Sequence, residues 1–216
     1  MKKIAQTQYP IHELIANRWS PVAFDSRMVE PEKIGSLLEA ARWAGSCFNE
    51  QPWFFMLATK DNPEEYQKLL SCIVEANQKW AKNAPVLMIS VAKLYFERNH
   101  KPNRHAFHDV GLAVGNLTLQ AEALGLHVHQ MGGFDVDRAR EVYHLPPRFE
   151  PVTAIAFGYP GDVKQLETEL QQRELSPRQR KSLDDFVFQS SWGNSYFSCP
   201  GKYLLNHFSE IGARHI

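Results

Sequence analysis

An α+β fold built as one domain is what the sequence predicts, and three observations predict it. Short apolar runs bounded by proline and glycine alternate along the chain with stretches of helical apolar spacing. No repeat, low-complexity segment or Pro/Gly/Ser linker divides it. At 216 residues, with 44% hydrophobic and 22% charged, it can bury a substantial core.

The elements follow in order. Ile11 to Asn17 predicts a short helix that delivers Arg18. Pro31 to Ala44 carries Ile34, Leu37, Leu38 and Ala41 on one stripe, with proline at its start and Gly45 at its end, as helices prefer. Phe54 to Thr59 reads as a buried strand, Pro63 to Trp80 as a helix and Pro85 to Ala92 as the second strand. Arg104 to Leu124 is the longest helix, closed by Gly125. His127 to Met131 is a third strand, Asp135 caps a further helix, and Val152 to Phe157 is a fourth strand ended by Gly158-Tyr159-Pro160-Gly161. The charged run Glu167 to Arg173 reads as a solvated helix.

Charge and cysteine content exclude several classes. Lysine plus arginine equals aspartate plus glutamate, 24 each, so no global field recruits nucleic acid or an anionic membrane. Cys47, Cys72 and Cys199 show no CxxC and no paired framework, which fits a reducing compartment. The N-terminus lacks a signal-peptide apolar run and no stretch approaches a membrane span, so a cytoplasmic location is expected. Nine histidines invite a metal site, with His105, His108 and Asp109 on one helix and His127 and His129 on one strand. Without HExxH or Cys/His spacing, no metal is expected.

Two segments point beyond a monomer. On the long helix, Phe107, Val110, Val114, Leu117, Ala121 and Leu124 form an apolar seam beside a small-residue strip of Gly111, Gly115 and Thr118. Either this is the central core helix, or its small side meets a twofold mate. The tail from Gln189 to Ile216 is rich in aromatic residues without a clear partner strand, and packs on its own subunit or wraps a neighbour.

The chemistry lies in three places. Arg18-Trp19-Ser20 sets a fixed charge, an indole and a hydroxyl after a helix. Ser46-Cys47-Phe48-Asn49-Glu50-Gln51-Pro52-Trp53 sets amides and a hydroxyl before a strand. Arg178 and Arg180 form a late basic pair. Arginine forks suit a phosphate dianion, and neither a G-x-G-x-x-G turn nor a P-loop is present to hold one by backbone alone.

In this order the motifs resemble the nitroreductase family. Arg18-Trp19-Ser20 followed by Phe24, Ser46 through Trp53, His129 through Asp135, Gly158-Tyr159-Pro160, and Pro177-Arg178-Gln179-Arg180 match its pattern from about Arg18 to Phe188. The resemblance implies a central, mostly antiparallel sheet flanked by helices, an intertwined homodimer, and flavin mononucleotide (FMN) held between subunits. A single domain of this kind is expected over 1–216, with 189–216 an extension that packs on its own subunit or wraps the partner. Arg18, Arg178 and Arg180 then hold the phosphate, and Trp19 and Ser20 lie along the ribityl chain and ring edge. Asn49 bonds the ring with Gln51 nearby, and Gly132 and Gly133 bring backbone amides to its N5 and O4 edge, where a missing side chain permits close approach. One departure stands out: many relatives carry lysine or arginine where this chain has Val22.

The implied activity is an oxidoreductase in which NADH or NADPH reduces FMN and a small acceptor (nitro compound, quinone or enone) reoxidises it by ping-pong hydride transfer. No side chain is singled out as catalytic. The alternative is a flavin-binding protein without fast turnover, with a storage, sensing or flavin-consuming role. A non-flavin interaction domain requires all five motif matches to be accidental.

Overall fold

The sheet organises everything else. In a computed structural model describing residues 3–197, four strands pair in the order β1-β2-β4-β3, all antiparallel. They are β1 (Trp53–Thr59), β2 (Val86–Lys93), β3 (His127–Met131) and β4 (Phe149–Gly158). β2 is buried on both faces and accordingly reads as a near-continuous apolar run, Val-Leu-Met-Ile-Ser-Val-Ala, broken by the buried Ser90. β4 is longer than its apolar core predicts. Pro151, which cannot donate to a ladder, is accommodated where the β2–β4 register shifts between Ser90 and Val91.

Alternation across the sheet creates two cores. Val86, Met88, Ile155, Phe157 and Val128 face one side, where α5 (Ala106–Ala123) buries Val110, Val114, Leu117 and Ala121 and α2 (Pro31–Arg42) adds Leu37 and Ala41. Asn116 and Gln120 of α5 donate to the Ala40 carbonyl and the Ser36 hydroxyl of α2. Leu87, Ile89, Val91, Ala154, Ala156 and Met131 face the other side, under α3 (Pro63–Leu70), α4 (Glu75–Ala81) and α6 (Val136–Tyr143). The long helix is thus a core helix, yet its apolar residues are not all covered: Phe107 of the seam and Leu112 beside it are exposed. Gly111 and Gly115 have open space where a Cβ would stand.

The expected single helix from Pro63 to Trp80 is two. Periodicity continues through the break, but Cys72 and Ile73 are buried and Ile73 bridges Phe134, so a tertiary contact stops the first helix. α1 (Glu13–Asn17) and α7 (Thr168–Leu175) complete the helices. Among the described residues no helix is long and apolar enough to cross a membrane.

The chain divides into two compact units, Met1–Pro177 and Arg178–Ile216. In the second, the Ser182 hydroxyl and the Asp185 carboxylate close a capping box on a single helical turn. Phe188 bridges Ser195, and the Phe188 ring meets Trp192 with centroids 5.0 Å apart. Residues 198–216, which hold Cys199 and much of the expected wrapping tail, lie outside the described residues.

Candidate functional site

The Arg18 segment is held by buried contacts. The Arg18 N–H closes α1 on the Leu14 carbonyl, and the chain then extends over the face that carries α3 and α4. Trp19 is 8% exposed, with its ring edge-on to His127 at 5.9 Å and the Lys3 ammonium 4.6 Å from its centroid. The Pro21 carbonyl stands 2.6 Å from Nδ1 of His129. Because a carbonyl only accepts, this contact places the ring proton on Nδ1. Burial holds His129 down to a pKa of about 4, against the pull of the Pro21 carbonyl and with help from Arg173 and Arg18. Burial lowers His127 as well, opposed by Glu122.

The next residues are clamped harder. Val22 is 1% exposed and donates its N–H to Oε2 of Glu174 at 2.8 Å. Glu174 is itself buried, which raises its carboxyl above the usual range despite bonds from the Val22 and Ala23 amides. Phe24 stacks on Trp80, and Gly161 must be glycine, since a Cβ there would meet the Phe24 carbonyl carbon at 2.5 Å. The half-buried Arg18 and exposed Ser20 are left at the margin, with Nη1 and Oγ 3.4 Å apart.

The Ser46 loop is the reverse: exposed and strained. Phe48, Asn49 and Gln51 have φ values of 55°, 57° and 51°. Asparagine visits the left-handed region readily, but phenylalanine and glutamine do not. Short-range bonds hold this shape. The Ser46 hydroxyl accepts the Gln51 N–H (3.0 Å), and the Gln51 amide donates to the Asn49 carbonyl (3.2 Å). The long-range anchor is Asp109, 2% exposed in the first turn of α5, whose Oδ2 accepts the Cys47 N–H at 3.0 Å. Phe48 remains 70% exposed.

Gly132 and Gly133 follow β3 and differ. Nothing lies within 4 Å of a Cβ placed on Gly132, whereas one on Gly133 would meet Asn77 Nδ2 at 2.5 Å and Val74 Cγ2 at 3.0 Å. The Gly133 carbonyl accepts both the Val74 N–H and the Asn77 amide, at 3.2 Å each. Arg178 and Arg180 belong to the C-terminal unit; Arg178 is half-buried, and Arg180 is exposed and donates to the Gln179 carbonyl.

Sheet topology sets these groups apart. The Ser46 loop leads into β1 at one edge, while the Arg18 segment and Gly132 belong to β3 at the other. Three strand spacings separate the edges, about 14 Å. Sequence reasoning missed Asp109 and Glu174 as anchors. Both are acids at buried helical positions, a pattern that is legible only once the packed face is known.

The sequence profile of the nitroreductase family matches residues 15–159. The chain belongs to the nitroreductase family. Its fold recurs in a crystal structure described as an oxidoreductase containing FMN, 36% identical, with a TM-score of 0.83 over 88% of this chain and 96% of that one. A nitroreductase family protein from Streptococcus pneumoniae shares the fold at 21% identity, with a TM-score of 0.65 over 82% of this chain and 98% of that one. The FMN reductase (NADPH) of Bacillus subtilis is 23% identical over 168 residues, 70% of this chain and 66% of that protein. The match to the nitroreductase profile ends at Tyr159, before the Arg178–Arg180 pair.

Proposed function

We propose that this chain is an FMN-dependent oxidoreductase that takes electrons from NADH or NADPH and passes them to a small acceptor, with each flavin held between two copies. One observation carries the reading: two sets of donors, the half-buried Arg18 with exposed Ser20 and the exposed Asn49 with Gln51, stand on opposite edges of a four-stranded sheet. Groups on opposite edges are closed round one flavin more readily by two copies than by one. A twofold mate can bring the β1 edge of one copy to the β3 edge of the other.

The donor chemistry fits the cofactor. Arginine forks and a hydroxyl suit the phosphate of FMN, exposed amides suit the polar edge of its ring, and the open space at Gly132 admits a flat ring against backbone. Arg18, Arg178 and Arg180 hold the phosphate; Trp19 braces the segment from beneath, and Ser20 continues it. Asn49 and Gln51 orient the ring, and the turn at Gly132 and Gly133 offers it backbone amides. FMN, when bound, supplies hydride acceptance and donation at N5. The protein positions it and leaves one face to exchange NAD(P)H for the acceptor.

A second reading, flavin binding without fast turnover, draws on Val22. Relatives with a basic residue there have a cation near the ring edge that becomes negative on reduction, and here a core side chain takes its place. Absorption of the purified protein, chromatography of heat-released flavin and stopped-flow reduction by each nicotinamide test both. The first reading expects yellow protein, FMN without an adenylate half, and reduction on mixing. Released dinucleotide, or protein that stays colourless after reconstitution, would overturn it. Bound FMN that neither nicotinamide reduces would select the second.

A further inference from the structure

The strained loop does more than present Asn49. Beyond β2 the chain forms a short arm closed by a bridge between Tyr95 and Pro102, with the Phe96 N–H on the Lys101 carbonyl and the His100 N–H on the Phe96 carbonyl, both 2.9 Å. Residues 98–104 hold Arg98, Lys101 and Arg104 and no carboxylate, in a chain whose charges balance overall, and the adjoining Glu97 carboxylate pairs with Lys93. All three cations are exposed.

The arm is fastened to the loop. The Glu50 carboxylate accepts the Glu97 N–H, the Phe48 ring meets Phe96 edge-on at 6.1 Å, and the Arg98 guanidinium lies 3.9 Å from the centre of the Phe48 ring. A guanidinium resting on an aromatic face is held in orientation while its in-plane N–H edge stays available for an anion. Left-handed backbone at a phenylalanine costs on the order of 1–3 kcal/mol, and little burial offsets it within this copy, since the residue remains 70% exposed. The strain fits presentation of a ring and a cation better than packing.

We infer that Arg98, braced by Phe48 and backed by Lys101 and Arg104, binds a phosphate of the nicotinamide dinucleotide that serves as electron donor. The inference rests on the oxidoreductase reading for that role and adds the site and the chemistry of recognition. Two phosphates present the same chemistry, the diphosphate common to both nucleotides and the 2′-phosphate of NADP(H) alone.

Calorimetric titration of the flavin-loaded protein with NADP⁺ and NAD⁺ tests it, in wild type, Arg98→Gln and Arg98→Lys. Loss of a charge-assisted contact should raise the NADP⁺ dissociation constant about tenfold or more in Arg98→Gln. Arg98→Lys should recover part of it, and flavin content should stay unchanged in both. An equal loss for NAD⁺ assigns the diphosphate; a loss confined to NADP⁺ assigns the 2′-phosphate. Unchanged affinity for both nucleotides in Arg98→Gln, or a wild type that binds neither, overturns the inference. Protein without flavin would overturn the oxidoreductase reading instead, and the same titration on that protein would still judge Arg98.

Discussion

The two segments that carry the proposed cofactor contacts are built on opposite principles. The Arg18 segment is quiet backbone nailed down by what lies beneath it: Trp19 on His127, Pro21 on His129, Val22 on Glu174 and Phe24 on Trp80. The Ser46 loop has left-handed residues at Phe48, Asn49 and Gln51, an exposed phenylalanine, and one buried anchor at Asp109. The first half-site is therefore an extension of the core: its buried residues, Trp19, Val22 and Phe24, will fail by loss of stability, and only its marginal Arg18 and Ser20 by loss of binding. The second is a shaped surface, whose failures will be failures of binding.

Breaking the first segment should have the larger effect. Val22→Lys places an unpaired ammonium in the core, and the expected loss is about 3 kcal/mol or more in urea unfolding. A stable, well-folded Val22→Lys variant would contradict the core placement. Restoring the cation found in relatives thus needs more than one substitution here.

Acid should discriminate between the segments too. His129 is held at about 4 when folded, against an ordinary value of 6.5. The unfolded chain then takes the proton first, so stability is fully present above pH 6.5 and is lost as pH falls from 6.5 towards 4. The total is about 3 kcal/mol. His129→Gln should flatten unfolding free energy across that window. Glu174 acts in the other sense: its folded carboxyl is raised, so its ionisation weakens folding as pH rises through the acid range, and Glu174→Gln removes that slope. An acid response in His129→Gln identical to wild type would remove this histidine from the account.

Smaller effects sharpen the contrast at the binding end. Arg18→Ala should weaken FMN binding by roughly 1.5–3 kcal/mol by fluorescence titration while unfolding is nearly unchanged. Gly132→Ala should leave stability within about 0.5 kcal/mol, because its Cβ meets nothing, yet should loosen FMN if the ring lies against that backbone. Gly133→Ala should cost about 1–2 kcal/mol of stability by crowding Asn77 and Val74. Equal stability losses at the two glycines would contradict the packing described here.

Much of the framework was legible. β3 lies at His127–Met131 as its alternation predicts, and the buried run at Pro85–Ala92 lies within one residue of β2. Periodicity failed where a distant contact intervened, as at Cys72 and Ile73, or where a bulge admitted Pro151 into β4. The candidate residues were found as types, because arginine, amide and glycine carry the chemistry of phosphate and flavin recognition. Their surroundings were not. No glycine marks the left-handed turns at Phe48 and Gln51, and Asp109 is 62 residues from the Cys47 amide it anchors. Val22 looked like a missing cation and is a core residue.

The central claim is that one flavin takes Arg18 from one copy and Asn49 from the other, and hybrid dimers test it most directly. Asn49→Gly removes the amide and keeps the left-handed backbone available, and Arg18→Ala removes the guanidinium. Each parent dimer should hold FMN poorly at both sites. Co-expressed with different tags and purified as the hybrid, the pair should hold one tight FMN per dimer, because one site then inherits both intact residues and the other neither. A hybrid no better than its parents, with two equally weak sites, would show that both residues come from the same copy and would contradict the shared site.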